Sequence, residues 1–283
     1  MWMNIWTDNV SGRQEMNGSK DLKTIIYFKG VYDTLDLFTD HLIEAFESMG
    51  YGTFVYHTAN EEVSKKMLLR LLDESQEFAV VTFNNLGYNL SFEQSEAAED
   101  EEKKPEEHNI WNYFHIPYID ILMDHPFHYE KPLCNMPETA VILCTDRNHE
   151  KYIRRFFKNI HQTDFLPHAG VELGHKHKPL NDRNIDVLYA GALPIYTVAK
   201  MIPDIHSIPE VDGEHMMQSV LGELVQHPEQ TTEQAIEAYV KSVRGDISDE
   251  RLQEIIVKMR FLDSYATSFF REQAVRILVE SGI

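Results

Sequence analysis

Between Thr24 and Phe83 the chain alternates short, continuous, β-rich apolar runs with stretches patterned at helical spacing, and few folds accommodate that alternation. The runs are Thr24 to Phe28, Thr53 to His57 and Phe78 to Phe83. Between the first two, Leu35, Phe38, Leu42, Ala45, Phe46 and Met49 recur three or four residues apart, with Asp33 or Thr34 placed to cap a helix and Gly50 to end it. Asn60 is placed to cap a second helix, with Glu61 and Glu62 in its first turn and Val63, Met67, Leu71 and Leu72 facing inward. Strands that are apolar on both faces need cover on both. Helices after each strand supply it, so the expected class is α/β with a Rossmann-like parallel sheet.

The same reading continues with strands at Tyr118 to Met123 and Ala140 to Thr145, a helix turning Tyr152, Ile153, Phe156 and Phe157 inward, and a short strand at Phe165 and Leu166. From Glu93 to Glu107 eight acids stand against two lysines with almost nothing apolar, so residues 93–108 are expected to form a solvated loop. Gly174 to Asp182 reads as a polar, basic linker, followed by a fresh apolar strand from Ile185 to Ala190 that ends at Gly191. Beyond Pro194 the pattern is helical, near Glu210 to Gln226, Thr232 to Val243, Ser248 to Ala266 and Phe269 to Ser281. The expected organisation is a Rossmann-like domain over residues 1–180 and the start of a second, mostly helical domain over residues 181–283. Ser281-Gly282-Ile283 reads as a helix stop running into another strand, so the second domain is expected to be truncated.

Charge narrows the partners. A formal net charge of -20 repels a phosphate backbone and an anionic membrane, and no basic patch offsets it, so nucleic acid is not an expected partner. No run of 18 apolar residues occurs and Met1 to Lys20 is polar, so neither a membrane span nor a signal peptide is expected; the expected location is the cytoplasm. Cys134 and Cys144, each beside apolar neighbours and in no metal-type pair, are expected to be buried free thiols.

Ligands of open parallel sheets bind beyond the carboxyl ends of the strands. In this chain those ends are polar. Asn84, Asn85 and Gly87 follow the third run; Asp124-His125-Pro126-Phe127-His128-Tyr129 follow the fourth; Asp146-Arg147-Asn148-His149 follow the fifth; Pro167, His168, Ala169 and Gly170 follow the sixth. Carboxylate, imidazole and amide groups on one rim suit a polyhydroxylated ligand and the removal of a proton from it. Blander readings stand beside this one. Asp146 and Asn148 are placed equally well to cap a helix, and Pro126 and Pro167 to terminate strands. His125 and His128 are spaced two residues apart, as are His175 and His177, but without a partner pair of known spacing neither set is expected to hold a metal. Nucleophile elbow, phosphate-cradling loop and dinucleotide fingerprint are all absent.

Four segments in order, Ile116 to Phe127, Asp146 to His149, Phe165 to Gly170 and Arg183 to Gly191, resemble bacterial glycosyltransferases of the spore-maturation-protein-like group, which have the GT-B fold. The likeness spans about residues 20 to 283 and lies in the order and spacing of the four motifs. It implies an acceptor-side domain facing a donor-side domain that binds a nucleotide-sugar, with Gly191 near the donor diphosphate. The later donor-domain strands and the acidic residue for the ribose are not found. The expected function is transfer of a sugar from a nucleotide-sugar donor to an acceptor hydroxyl on a glycan or protein, with no cofactor and no obligatory metal. Asp124 or His125 is the expected base, with Asn85, His128, Asp146, Arg147, His149, His168 and Gly170 shaping acceptor binding. The alternatives are a non-catalytic module that recognises a ligand or protein through the same rim, and a metal-dependent hydrolase using Asp124, His125, His128 and His149.

Overall fold

Lys23–Lys29 (β1) and Glu77–Phe83 (β3) are apolar on both faces, and they lie side by side in parallel with Gly52–His57 (β2) on the far edge of β1. The computed structural model describes residues 23–73, 77–94, 106–170, 178–192, 208–209 and 211–282. Six strands form a parallel sheet in the order β2-β1-β3-β6-β7-β8, completed by Tyr118–Leu122 (β6), Ala140–Cys144 (β7) and Gln162–Phe165 (β8). The expected Rossmann-like α/β class is what the chain adopts. Its first three strands run 2-1-3, not the 3-2-1 of dinucleotide-binding sheets, which agrees with the missing fingerprint. The chain divides into two compact units, Met1–Val80 and Val81–Ile283.

In the first unit, β1 is followed by Asp33–Ser48 (α1), β2 and Glu61–Leu72 (α2). The turn out of β1 depends on Gly30, whose φ of +97° few side chains adopt and whose Cβ would lie 3.1 Å from Thr58 Oγ1. Its N–H donates to both carboxylate oxygens of Asp36, at 3.0 and 3.1 Å. Along α2 the buried stripe is Ser64, Leu68 and Leu72, while the expected inward residues Val63 and Met67 face solvent. Ser64 sets that rotation: its hydroxyl accepts the His57 N–H and donates to the His57 carbonyl, both at 3.1 Å. A polar anchor in the stripe shifts the buried face by one residue.

The second unit contains β6, β7, β8 and two short strands, Ser91–Gln94 (β4) and Glu106–Asn109 (β5). These two form an antiparallel ribbon from both ends of the stretch expected to be an acidic loop; residues 95–105 lie outside the described residues. The ribbon is held by Phe92, which packs on His108, Tyr113 and Phe114, and by Asn109, which caps Ile110–Tyr113 (α3). Glu130–Cys134 (α4) and Arg147–Phe156 (α5) follow β6 and β7. Trp111, Tyr118, Leu122, Phe127, Leu133, Ile142 and Phe157 are the large buried side chains here. Cys144 is buried, but Cys134 is exposed at the end of α4, against expectation.

Residues 185–190 form no strand. Ile185, Val187, Leu188 and Tyr189 are all exposed, so an apolar run that reads as a strand finds no ladder to join among the described residues. The C-terminal helices are Gly213–Gln226 (α6), Thr232–Arg244 (α7), Asp249–Met259 (α8) and Phe261–Glu280 (α9). A break expected after Ala266 falls at Arg260 instead, because Ser268 turns its hydroxyl back to the Ser264 carbonyl at 2.7 Å and stays in helix. Arg155 ties α5 to α7 and α8: its guanidinium meets Glu237 through two bonds of 2.7 and 3.0 Å and Asp249 at 2.6 Å.

Candidate functional site

Strand register sets the site. Leu122 pairs with Cys144 and Cys144 with Phe165, so β6, β7 and β8 end at one level. The end of β3 is pinned to the same level: the Asn84 N–H donates to the Ile121 carbonyl at 3.2 Å, and the Met123 N–H to Asn84 Oδ1 at 2.8 Å. The residues after these four strands therefore share a rim.

Asp124 is the exposed carboxylate on that rim. Its Oδ2 accepts from Asn84 Nδ2 at 3.0 Å and from the Tyr129 hydroxyl at 2.8 Å, which fixes the plane of the carboxylate. No described residue bonds Oδ1. Asn84 takes this part through a left-handed backbone, φ +47°, a conformation that asparagine tolerates better than other side chains. Asn85, φ +64°, is the neighbour that sequence reasoning favoured, yet it is buried, with its N–H 2.9 Å from Asp120 Oδ1. The amide that reaches Asp124 is that of Asn84, and no local pattern in the sequence separates the two.

His125, the other candidate base, faces inward. Its Nδ1 accepts the Phe127 N–H at 3.2 Å, which places the proton of the neutral ring on Nε2. Nε2 is buried and lies 3.3 Å from Glu233 Oε2, at ion-pair distance though off the line of a hydrogen bond. Its ring stacks on Phe127 at 3.7 Å and stands edge-on to His149 at 4.6 Å and Tyr152 at 5.0 Å. With Nδ1 bonded to the Phe127 N–H and Nε2 buried beside Glu233, His125 turns away from the rim. Burial, then the neighbouring His125, lowers the His149 pKa to about 4, so His149 is neutral near neutrality. Burial pushes Glu233 up, but the facing His125 together with Thr231 outweighs it and holds the carboxyl below its ordinary value. Glu233 was missed. The sequence signal there is the capping box formed by Thr231 and Gln234, which explains the start of α7 and says nothing of a partner in the loop after β6.

The remaining candidates are spread along the rim and beyond it. Asp146 caps α5, accepting the Asn148 N–H at 2.6 Å, while Arg147 lies over the Phe165 ring at 4.2 Å. His168 and Gly170 are exposed past β8, and a Cβ at Gly170 would meet nothing within 4 Å. Gly191 is exposed in the segment that forms no strand. His128 is exposed on the turn after β6; burial of its inner edge holds its pKa below the ordinary value. His175 and His177 lie outside the described residues. Among the described residues no three His, Cys, Asp or Glu side chains converge as metal ligands. None of the described helices is long and apolar enough to cross a membrane.

No family model matches the chain, and no curated protein or solved structure matches it either.

Proposed function

We propose that the chain binds a polyhydroxylated ligand on the rim formed by the ends of β3, β6, β7 and β8, and that it acts as the acceptor side of a nucleotide-sugar-dependent glycosyl transfer. The observation that carries this is Asp124, an exposed carboxylate with one oxygen held by Asn84 and Tyr129 and the other unbonded among the described residues. A hydroxyl is a weak nucleophile at neutral pH and needs a base in reach. Asp124 Oδ1 takes the hydroxyl proton as the acceptor oxygen bonds to the anomeric carbon, and the bond from that carbon to the diphosphate breaks, releasing the nucleoside diphosphate. Asn84 and Tyr129 act on Asp124 as positioning residues. Arg147, held over Phe165, supplies a cation further along the rim. The sugar-transfer part of the reading rests on the four-motif resemblance.

Calorimetric titration with a panel of uridine, guanosine and thymidine diphosphate sugars, each with and without candidate glycan acceptors, tests it. Turnover that falls at least a hundredfold in Asp124→Asn supports the assignment; turnover unchanged in that variant overturns it. A second reading, recognition of a glycan or protein without catalysis, is favoured by the absence of a strand at residues 185–190, where the resemblance needs the donor domain to open. Under that reading ligand binding persists, no donor is consumed, and Asp124→Asn changes affinity alone.

A further inference from the structure

Beside the rim, the turn that carries His128 faces the junction of α8 and α9 across a cleft of about 420 Å³, lined by His128, Val257, Lys258, Arg260, Phe261 and Ser264. Its lining carries two cations in a chain with 46 acidic residues against 26 lysines and arginines. Arg154, Arg155, Lys241, Arg251 and Arg276 on neighbouring helices each meet a carboxylate. Lys258 and Arg260 have no ion pair among the described residues. Two carboxylates act on His128 from nearby, Asp124 and Asp263. Each is already engaged, Asp124 by Asn84 and Tyr129 and Asp263 by the Thr232 hydroxyl at 2.9 Å. Neither is a lining residue of the cleft.

We propose that this cleft binds a phosphate monoester of an aromatic or similarly apolar alcohol. Two unpaired cations match the double negative charge of a monoester, and the Ser264 hydroxyl and the His128 ring add hydrogen-bonding groups at the same mouth. Val257 on α8 and Phe261 at the start of α9 form an apolar wall for the body of the ligand, and the volume falls within the range of small-molecule sites. Bare phosphate would use the cations and leave that wall wet. The proposal does not depend on the chemistry assigned to Asp124.

Phenyl phosphate titrated into the full chain is the probe, with inorganic phosphate as head alone and phenol as body alone. Phenyl phosphate is expected to bind at least tenfold more tightly than inorganic phosphate, and phenol not measurably. The doubly substituted Lys258→Ala, Arg260→Ala chain, which loses only exposed side chains, is expected to keep its melting temperature and lose at least tenfold in phenyl phosphate affinity. Arg276→Ala, equally cationic and remote from the cleft, serves as the control and is expected to bind like the parent. Equal affinity for phenyl phosphate and inorganic phosphate overturns the proposal, as does unchanged binding in the double variant.

Discussion

The Asn85 N–H donates to Oδ1 of Asp120 inside the core, where Asp120 is 0% exposed and Asn85 4%. That bond ties the left-handed pair Asn84 and Asn85 to the central strand β6, and through Asn84 it reaches the rim carboxylate Asp124. Asp120 Oδ2 has no hydrogen-bond partner among the described residues. Burial raises the Asp120 pKa to about 7, against a smaller lowering by the Asn85 N–H.

The raised value has a sign. The folded chain keeps the Asp120 proton up to about pH 7, whereas the unfolded chain releases it near its ordinary value of 3.8. Stability from this group is therefore complete below about pH 4 and is lost as pH rises through 7, by about 4 kcal/mol in all. Asp120→Asn keeps an acceptor for the Asn85 N–H and cannot ionise. Its urea midpoint is expected to gain on the parent between pH 5 and pH 8; an offset constant across that range would count against a buried, titrating Asp120.

His149 works the opposite way. Its pKa is lowered from 6.5 to about 4, chiefly by burial, so the unfolded chain binds the proton that the folded chain refuses. Stability from His149 is complete above about pH 6.5 and is lost as pH falls towards 4, by about 3 kcal/mol. The two groups oppose each other over nearly the same window. His149→Gln is expected to gain on the parent at pH 5 relative to pH 8, the mirror image of Asp120→Asn, and parallel profiles for the two variants would refute the pairing.

Glu233 closes the loop after β6 onto α7 through His125, with side chains 11% and 12% exposed. Removing this buried carboxylate leaves His125 Nε2 facing a void, so Glu233→Ala is expected to lower stability by about 2 kcal/mol. Glu233→Gln, which keeps the shape, is expected to cost less. Hydrogen exchange at the Phe127 amide, the proton held by His125 Nδ1, reports the same event locally and is expected to speed up in Glu233→Ala.

Arg155 joins three helices at the surface, with its side chain 37% exposed. The fork to Glu237 is bidentate, and Lys241 meets the same carboxylate at 2.8 Å, so the group is a network rather than a lone pair. Arg155→Ala is expected to destabilise the chain by about 1–2 kcal/mol in dilute buffer and by clearly less in 1 M salt. Denaturant titrations at the two salt levels check this, and salt-independent loss would point to packing instead.

What the sequence made legible follows from which forces are local. Apolar runs with β-rich content located β1, β3, β6 and β7, whose buried faces leave little polar alternation to confuse the reading, and β2 by its β-rich composition, whereas the expected strand at Phe165 and Leu166 caught only the last residue of β8, because Gln162–Phe165 is mostly polar. The same logic misread Ile185 to Ala190, since composition registers a capacity for pairing and not the presence of a partner. Ribbon β4–β5 was hidden in an acidic stretch because its pairing depends on Phe92 meeting Tyr113 and Phe114, contacts that no local pattern announces. At the candidate site, Asp124 was legible as the residue just beyond a strand. That Asn84 rather than Asn85 would reach it, and that His125 would be taken up by Glu233 far downstream, are consequences of tertiary packing alone.

The Asp36 carboxylate lying against the Gly30 N–H means that the turn leaving β1 carries its own resident anion. A phosphate entering there would have to evict a tethered competitor, and tethering over so few residues corresponds to an effective concentration of about millimolar or above. A phosphate of equal intrinsic affinity that is present below that level leaves the turn undisturbed. In any phosphate-rich medium that particular seat is already taken, and selectivity against such anions costs no additional residue.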